Sequence, residues 1–407
     1  MKLRHCRICD NEKLTEIIDL GEMALANDFI DDVDDKESQY PLRLVWCNKC
    51  YLVQIDEIVP PDELFSEYIY VSGTSERLQS HFDELASTIT NKYPITADDS
   101  VVDIGSNDGT LLSHFQKRDL DVLGVEPATN IAELANEKGV KTVNGFFSSD
   151  VSIEIADSYD SFELVTATNV FAHTHNVQDF VQGVYELLSE QGICVIEVPY
   201  LIDLLEGTEF DTIYHEHLSY FAVHPLKRLF DDHDMKILNI ERKTIHGGSI
   251  RVEAAKETSS HSPQETVEEI LQFEMEWGIN SFDSYRAFAE NVHTLKSELI
   301  SLLEQLQGEK SSIVGYGAAA KANTLLNYCN IGPEIIEFIA DKNDLKQGKY
   351  TPGSNIPVVS PDHIHEADPD YMLILAWNFA DEIMNQQNRF KRSGGSFIIP
   401  IPDIKVF

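Results

Sequence analysis

The sequence predicts an α/β protein in three parts, a small amino-terminal module followed by two doubly wound domains. Three observations carry this expectation. Two Cys-x-x-Cys pairs, Cys6 with Cys9 and Cys47 with Cys50, lie close to the amino terminus. An apolar strand running into a glycine turn and a helix start occurs at Val101-Val-Asp-Ile-Gly-Ser-Asn-Asp-Gly-Thr-Leu-Leu112. The same pattern returns at Ser311-Ser-Ile-Val-Gly-Tyr-Gly-Ala-Ala-Ala-Lys321. At 407 residues and 43% hydrophobic content the chain is too long for one ordinary core, and the expected spans are 1–70, 71–260 and 261–407.

In the first part, the two Cys-x-x-Cys knuckles can close around one tetrahedral ion, and four thiolates suit zinc. A shell completed by protein sulfur leaves no position for water, so the metal is expected to hold the fold. His5 as a substitute ligand and a redox role for the cysteines stay open as alternatives. Cys194, in the apolar run Ile193 to Val198, and Cys329 are expected to pack in cores.

The balance of 31 basic against 69 acidic residues gives a net charge of −38, which repels a phosphate backbone and anionic lipid alike. Nucleic acid and membrane surfaces are therefore excluded as expected partners, and an anionic substrate would need a locally basic pocket. The sequence Met1 to Asp10 lacks an apolar signal-type stretch and no run of 18 apolar residues occurs, so a cytoplasmic location is expected. Oligomeric state is not legible.

In the second part, Glu76 to Tyr93 reads as a helix and Val101 to Ile104 as a buried strand, with Asp103 near its end and Gly105 and Gly109 allowing close approach of a ligand to the backbone. The next strand, Val122-Leu-Gly-Val-Glu126, ends in a carboxylate placed to accept hydrogen bonds from both hydroxyls of a ribose. Asn107 stands where a dinucleotide fingerprint would have its second glycine, which leaves less room for a pyrophosphate. S-adenosylmethionine carries no phosphate and fits better. Phe146 and Phe147 follow the third strand, where an aromatic flanks adenine, and later strands end at Asn169 and Val198.

The motif order extends this reading. The zinc knuckles, Tyr68-Ile-Tyr70, Asp103-Ile-Gly-Ser-Asn-Asp-Gly109, Asn169-Val-Phe-Ala-His173, Tyr214-His-Glu-His217 and Gly315-Tyr-Gly-Ala-Ala-Ala-Lys321 together resemble the sugar C-methyltransferase family over nearly the whole chain. That resemblance implies a class I methyltransferase fold in the central domain. It also implies methylation at carbon 3 of a thymidine-diphosphate-linked 4-keto deoxysugar. His217 is the base it implies, with Tyr214, Glu216, His173 and Tyr68 around the reacting sugar. The chemistry agrees: removing a proton beside a ketone calls for a positioned base and a donor for the enolate oxygen, and the dense Tyr-His-Glu-His run supplies both kinds of group. An oxygen or nitrogen methyltransferase remains an alternative.

In the third part, residues from about Ser262 to Gly308 repeat Tyr285, Phe288, Val292, Leu295, Leu299, Leu302 and Leu306 at helical spacing. The turn Gly315-x-Gly317-x-x-Ala320, with Asp341 ending the next strand, reads on its own as a dinucleotide fingerprint, which keeps a nicotinamide-dependent sugar reductase open. The family resemblance implies instead that this domain helps hold the nucleotide-sugar. Tyr316, Lys321 and Asn323 on that turn are expected to meet its diphosphate or sugar, Arg251 after the His246-Gly-Gly turn to add a cation, and Trp377 to stack on the base. An ordinary hairpin at 246–251 and a solvated Lys321 are the plainer readings.

Overall fold

The computed structural model describes residues 2–65, 76–245 and 247–407. Its strands, in chain order, are β1 Leu14–Ala24, β2 Gln39–Cys47, β3 Val53–Ile55, β4 Ser100–Ile104, β5 Asp121–Glu126, β6 Thr142–Asn144, β7 Phe162–Thr168, β8 Leu188–Pro199 and β9 Ser219–Tyr220. They continue with β10 Met235–Lys243, β11 Ser249–Lys256, β12 Ile313–Tyr316, β13 Ile339–Ala340, β14 Val358–Val359, β15 Tyr371–Ile374, β16 Ser396–Ile399 and β17 Lys405–Val406. The fold is mixed α/β, with an amino-terminal cysteine cluster, a central Rossmann-like sheet and a carboxy-terminal sheet.

The central sheet runs β10-β11-β8-β7-β4-β5-β6. It is parallel from β8 to β6, and β11 and β10 are antiparallel additions at the other edge. Strand β4 is wholly apolar inside except for Asp103, as the sequence Ser-Val-Val-Asp-Ile requires of a strand covered on both faces. The carboxy-terminal sheet runs β14-β13-β12-β15-β16-β17 and is parallel apart from β17. In each sheet the chain order reverses beside the strand that carries the glycine turn, β4 in one and β12 in the other. Open α/β sheets leave a crevice at the carboxyl end of that strand.

The small sheet, β1-β2-β3-β9, is antiparallel. Its fourth strand comes from far along the chain, with Tyr220 paired to Val53 and Ser219 to Gln54. The expected helical stretch after residue 262 is two helices, Glu265–Trp277 and Phe282–Gly308, broken where Gly278 adopts φ 97°. The buried face of the second carries Tyr285, Phe288, Val292, Leu295, Leu299, Leu303 and Leu306. Leu303 therefore takes the inward position expected of Leu302, because a seam of mixed three- and four-residue steps drifts around the helix. Cys194 and Cys329 are buried in the apolar cores, as expected. No helix among the described residues is long and apolar enough to cross a membrane.

Candidate active site

The four cysteines converge. Cys6 Sγ lies 3.4 Å from Cys50 Sγ, Cys9 Sγ lies 3.5 Å from Cys47 Sγ, and all four sulfurs fall within 4.8 Å of one another. A tetrahedral zinc–thiolate shell needs sulfurs about 3.8 Å apart, given bonds of about 2.3 Å, so the donor set fits zinc. Asn11 Nδ2 donates to Cys47 Sγ at 3.4 Å, the outer-shell contact that steadies a thiolate ligand. His5 pairs instead with Asp10 and is not part of the cluster.

A single cavity of about 990 Å³ opens between the central and carboxy-terminal crevices. One end is lined by Asp103, Gly105, Asn107, Glu126, Phe146, Phe147 and Asn169. Glu126 is anchored across the turn: Oε2 accepts the Asn107 N–H at 3.0 Å and Oε1 the Ala128 N–H at 2.9 Å. Burial raises its pKa while these two donors pull it back. Each oxygen keeps a second lone pair, so the carboxylate can accept from the hydroxyls of a ribose diol. Asp103, beneath the turn, accepts the Thr166 hydroxyl at 2.7 Å and burial pushes its pKa up to about 7. Asn107 and Asn169 both carry positive φ, 48° and 55°. The space of a Cβ at Gly105 is filled by Val170 and at Gly109 by Val140, so these glycines serve the turn and close packing, and Gly109 does not line the cavity. Phe147 packs edge-on against Phe180, whereas Phe146 is 47% exposed at the rim.

The Tyr214–His217 segment reaches the middle of the same cavity, with Tyr214, Glu216 and His217 lining it. It is stitched in place from both sides. Leu218 N–H donates to Ala172 O at 2.8 Å, Ile55 N–H donates to Leu218 O at 3.2 Å, and β9 follows directly. His215 points away to Pro41 O at 3.2 Å. His217 Nδ1 lies 2.9 Å from the carbonyl of Thr212. A carbonyl can only accept, so Nδ1 holds the proton and Nε2 presents its lone pair, which the Tyr214 hydroxyl approaches at 2.8 Å.

His173 stacks its edge on His217, centroids 4.8 Å apart, and burial lowers its pKa to about 4, so it is neutral near pH 7. Burial raises the Glu216 pKa to about 7, against the Asn27 amide and the Lys346 charge, which lower it. Tyr68 and Tyr70 lie outside the described residues, as does His246.

Lys321, Lys346, Lys349 and Arg77 also line the cavity, with Lys349 paired to Asp31 at 2.8 Å and Arg77 6.0 Å over the Phe379 ring. Lys321 sits 3.8 Å over the Trp377 ring and donates to Asn378 Oδ1. Burial lowers its pKa and Asp211 and Glu209 oppose this. The other residues expected here to touch substrate are placed elsewhere. Tyr316 is buried in the carboxy-terminal core near Gln387, and Asn323 holds the Ala26 carbonyl at 2.6 Å. Trp377 directs its indole N–H to Asp211 at 2.7 Å, behind Lys321. Arg251 is fully buried on β11, its guanidinium held by Glu197 and by Glu84 at 3.0 Å. A strand residue with two carboxylates at hand is drawn into the interior, which the sequence alone does not reveal.

Three lining residues have no sequence signal strong enough to find them: Asn27, whose Nδ2 donates to Glu216 Oε1 at 2.6 Å, Glu209, and Lys346. Glu209 is 7% exposed, and burial reinforced by Asp211 pushes its pKa up to about 8. Its one hint is the pair of acids flanking Phe210.

Comparison with known proteins decides the family. Residues 6–65 match the family described as "Putative zinc binding domain", residues 73–240 the family "Methyltransferase domain", and residues 244–402 the family "C-methyltransferase C-terminal domain". C-methyltransferase NovU of Streptomyces niveus is 36% identical over 403 residues, covering 98% of this chain and 96% of that protein. The chain belongs to the C-methyltransferase family. Among solved structures, this C-methyltransferase is similar to magnesium protoporphyrin IX methyltransferase of Synechocystis, at 11% identity and a TM-score of 0.33 over 44% of this chain and 79% of that one. It is also similar to an S-adenosylmethionine-dependent methyltransferase of Clostridium acetobutylicum, at 9% identity and a TM-score of 0.35 over 44% and 92%. The C-methyltransferase takes S-adenosylmethionine as cofactor and has a zinc-binding amino-terminal domain.

Proposed function

We propose that this C-methyltransferase acts on the carbon beside the ketone of a nucleotide-linked deoxysugar, carbon 3 of a thymidine-diphosphate-linked 4-keto sugar, through an enolate formed by His217. One observation carries the reading: an imidazole lone pair, a phenol and a buried carboxyl meet in the cavity whose far end holds the cofactor turn. Bound S-adenosylmethionine supplies an electrophilic methyl group on a sulfonium leaving group. Everything else falls to the protein. Asp103, Gly105, Asn107, Glu126, Phe146, Phe147 and Asn169 hold the cofactor end, with Glu126 on the ribose.

His217 Nε2 takes the proton from the substrate carbon, and the Thr212 carbonyl steadies the resulting imidazolium through Nδ1. The approaching substrate replaces the Tyr214 hydroxyl at Nε2, which lets the phenol turn to the sugar. Neutral Glu216 then donates to the ketone oxygen as it gains charge, in a site where few waters compete. His173 keeps a second imidazolium away from His217, and Tyr68 is assigned to the sugar by its place in the motif order. Lys321, Lys346 and Lys349 face the diphosphate, the cationic patch that an anionic substrate of this acidic chain requires.

The test is His217→Asn. The variant keeps S-adenosylhomocysteine affinity but loses most turnover, and its exchange of the substrate's alpha proton with heavy water, followed by NMR with S-adenosylhomocysteine bound, slows by at least about 100-fold, the lower end for general base catalysis. Wild-type rates of methylation and exchange in the variant would remove His217 as the base.

A further inference from the structure

Asn27 belongs neither to the metal ligands nor to the Tyr214–His217 segment. It follows β1, in the amino-terminal module, yet it lines the cavity and donates through Nδ2 to Glu216 Oε1 at 2.6 Å. Its loop is held on several sides. Asn323 Nδ2 donates to the Ala26 carbonyl at 2.6 Å, Ile30 and Tyr350 exchange backbone hydrogen bonds at 3.2 and 2.8 Å, and Lys346 sits 4.9 Å over the Phe29 ring. A side chain carried by so constrained a loop has little freedom to leave its partner. Glu216 is 4% exposed, so a hydrogen bond to it is not diluted by water.

We propose that Asn27 is a positioning residue for the proton chemistry: its amide N–H fixes Oε1 of Glu216 as the acceptor oxygen, so that the carboxyl proton resides on Oε2 and is aimed at the ligand. The inference rests on the reading that Glu216 acts as a neutral donor. Orientation at Asn27 follows from the partner, since Oε1 only accepts and the amide must present nitrogen. The bond has a second effect. It favours the ionised carboxylate, and so lowers the pH at which Glu216 loses its proton.

The other groups around Glu216 are the Lys346 ammonium, which acts in the same direction, neutral His173 and, in its own segment, Tyr214 and His217, while His215 turns away to the Pro41 carbonyl. Through Asn27 the amino-terminal module reaches into the cavity, whose lining includes none of the four cysteines.

Difference infrared spectroscopy on the zinc-loaded full chain with S-adenosylhomocysteine tests this without a sugar substrate. Each protein is referenced to the same protein carrying Glu216→Gln, which isolates the protonated-carboxyl C=O band of Glu216. In wild type this band is expected at pH 6 and lost with a midpoint near 7. In Asn27→Ala the band should move to higher frequency, because the carbonyl oxygen has lost its donor, and the midpoint should rise by about one unit. In Asn27→Asp, close in size, it should rise further, because a second carboxylate faces the first.

A merely structural role would change neither frequency nor midpoint in variants that retain zinc and the wild-type circular dichroism. An unmoved band would therefore overturn the role of Asn27 and leave the neutral-donor reading standing. Absence of any Glu216 band in wild type at pH 6 would overturn both.

Discussion

Glu126 sits with both oxygens on backbone N–H groups and lines the cavity, and under the proposed function it is the residue on which cofactor affinity depends most directly. Glu126→Ala should weaken S-adenosylmethionine binding by about 1.5–3 kcal/mol, the scale of hydrogen bonds to a charged acceptor, as read by calorimetry. Unchanged affinity in a folded variant would refute the assignment. Glu126 was legible because an acid ending the second strand has a fixed geometric relation to the glycine turn. The Tyr214, Glu216 and His217 cluster was legible because four polar groups in a row suit no ordinary core element. Arg251 and Asn323 misled for the converse reason. Their types suit ligand contact, but their partners, Glu197, Glu84 and Ala26, are distant in sequence and appear only once the chain folds. Asn27 is the same case with the opposite outcome.

Among elements, β9 has the largest consequence for its size. Two residues pair it to β3, and that pairing brings the segment bearing His217 onto the sheet built beside the metal cluster. The amino-terminal module and the strand that follows the His217 segment thus share one sheet. Removing zinc with a chelator, or introducing Cys47→Ser, should lower Tm, because the free energy of metal binding to a structural site is folding free energy. Methyl transfer should fall in step with the loss of metal, followed by a thermal scan and an assay on the same sample. Full activity after complete loss of metal would contradict the coupling. The sequence announced the metal cluster through its spacing, but not β9, because a two-residue strand has no period to read. Leu303 in place of Leu302 shows a related limit, since spacing alone tolerates either residue.

At the scale of the whole molecule, two crevices of the same type face one cavity, and the residues that line them differ. The central crevice presents acids and asparagines, and the carboxy-terminal one lysines. The strand-turn-helix repeats made both crevices legible, whereas their meeting in one space depends on packing between distant parts of the chain. Lys321, Lys346 and Lys349 line one side of the cavity, Lys349 pairing with Asp31 at 2.8 Å, and under the proposed function they offset the general negative field where the substrate's diphosphate would lie. The most direct test supplies S-adenosylmethionine labelled with carbon-13 in its methyl group together with a panel of thymidine-diphosphate-linked 4-keto deoxysugars. Carbon-13 NMR of the products then locates the label. The account predicts a labelled methyl bonded to the carbon beside the ketone in at least one product. Label found on oxygen or nitrogen, or on a carbon remote from the ketone, would contradict it.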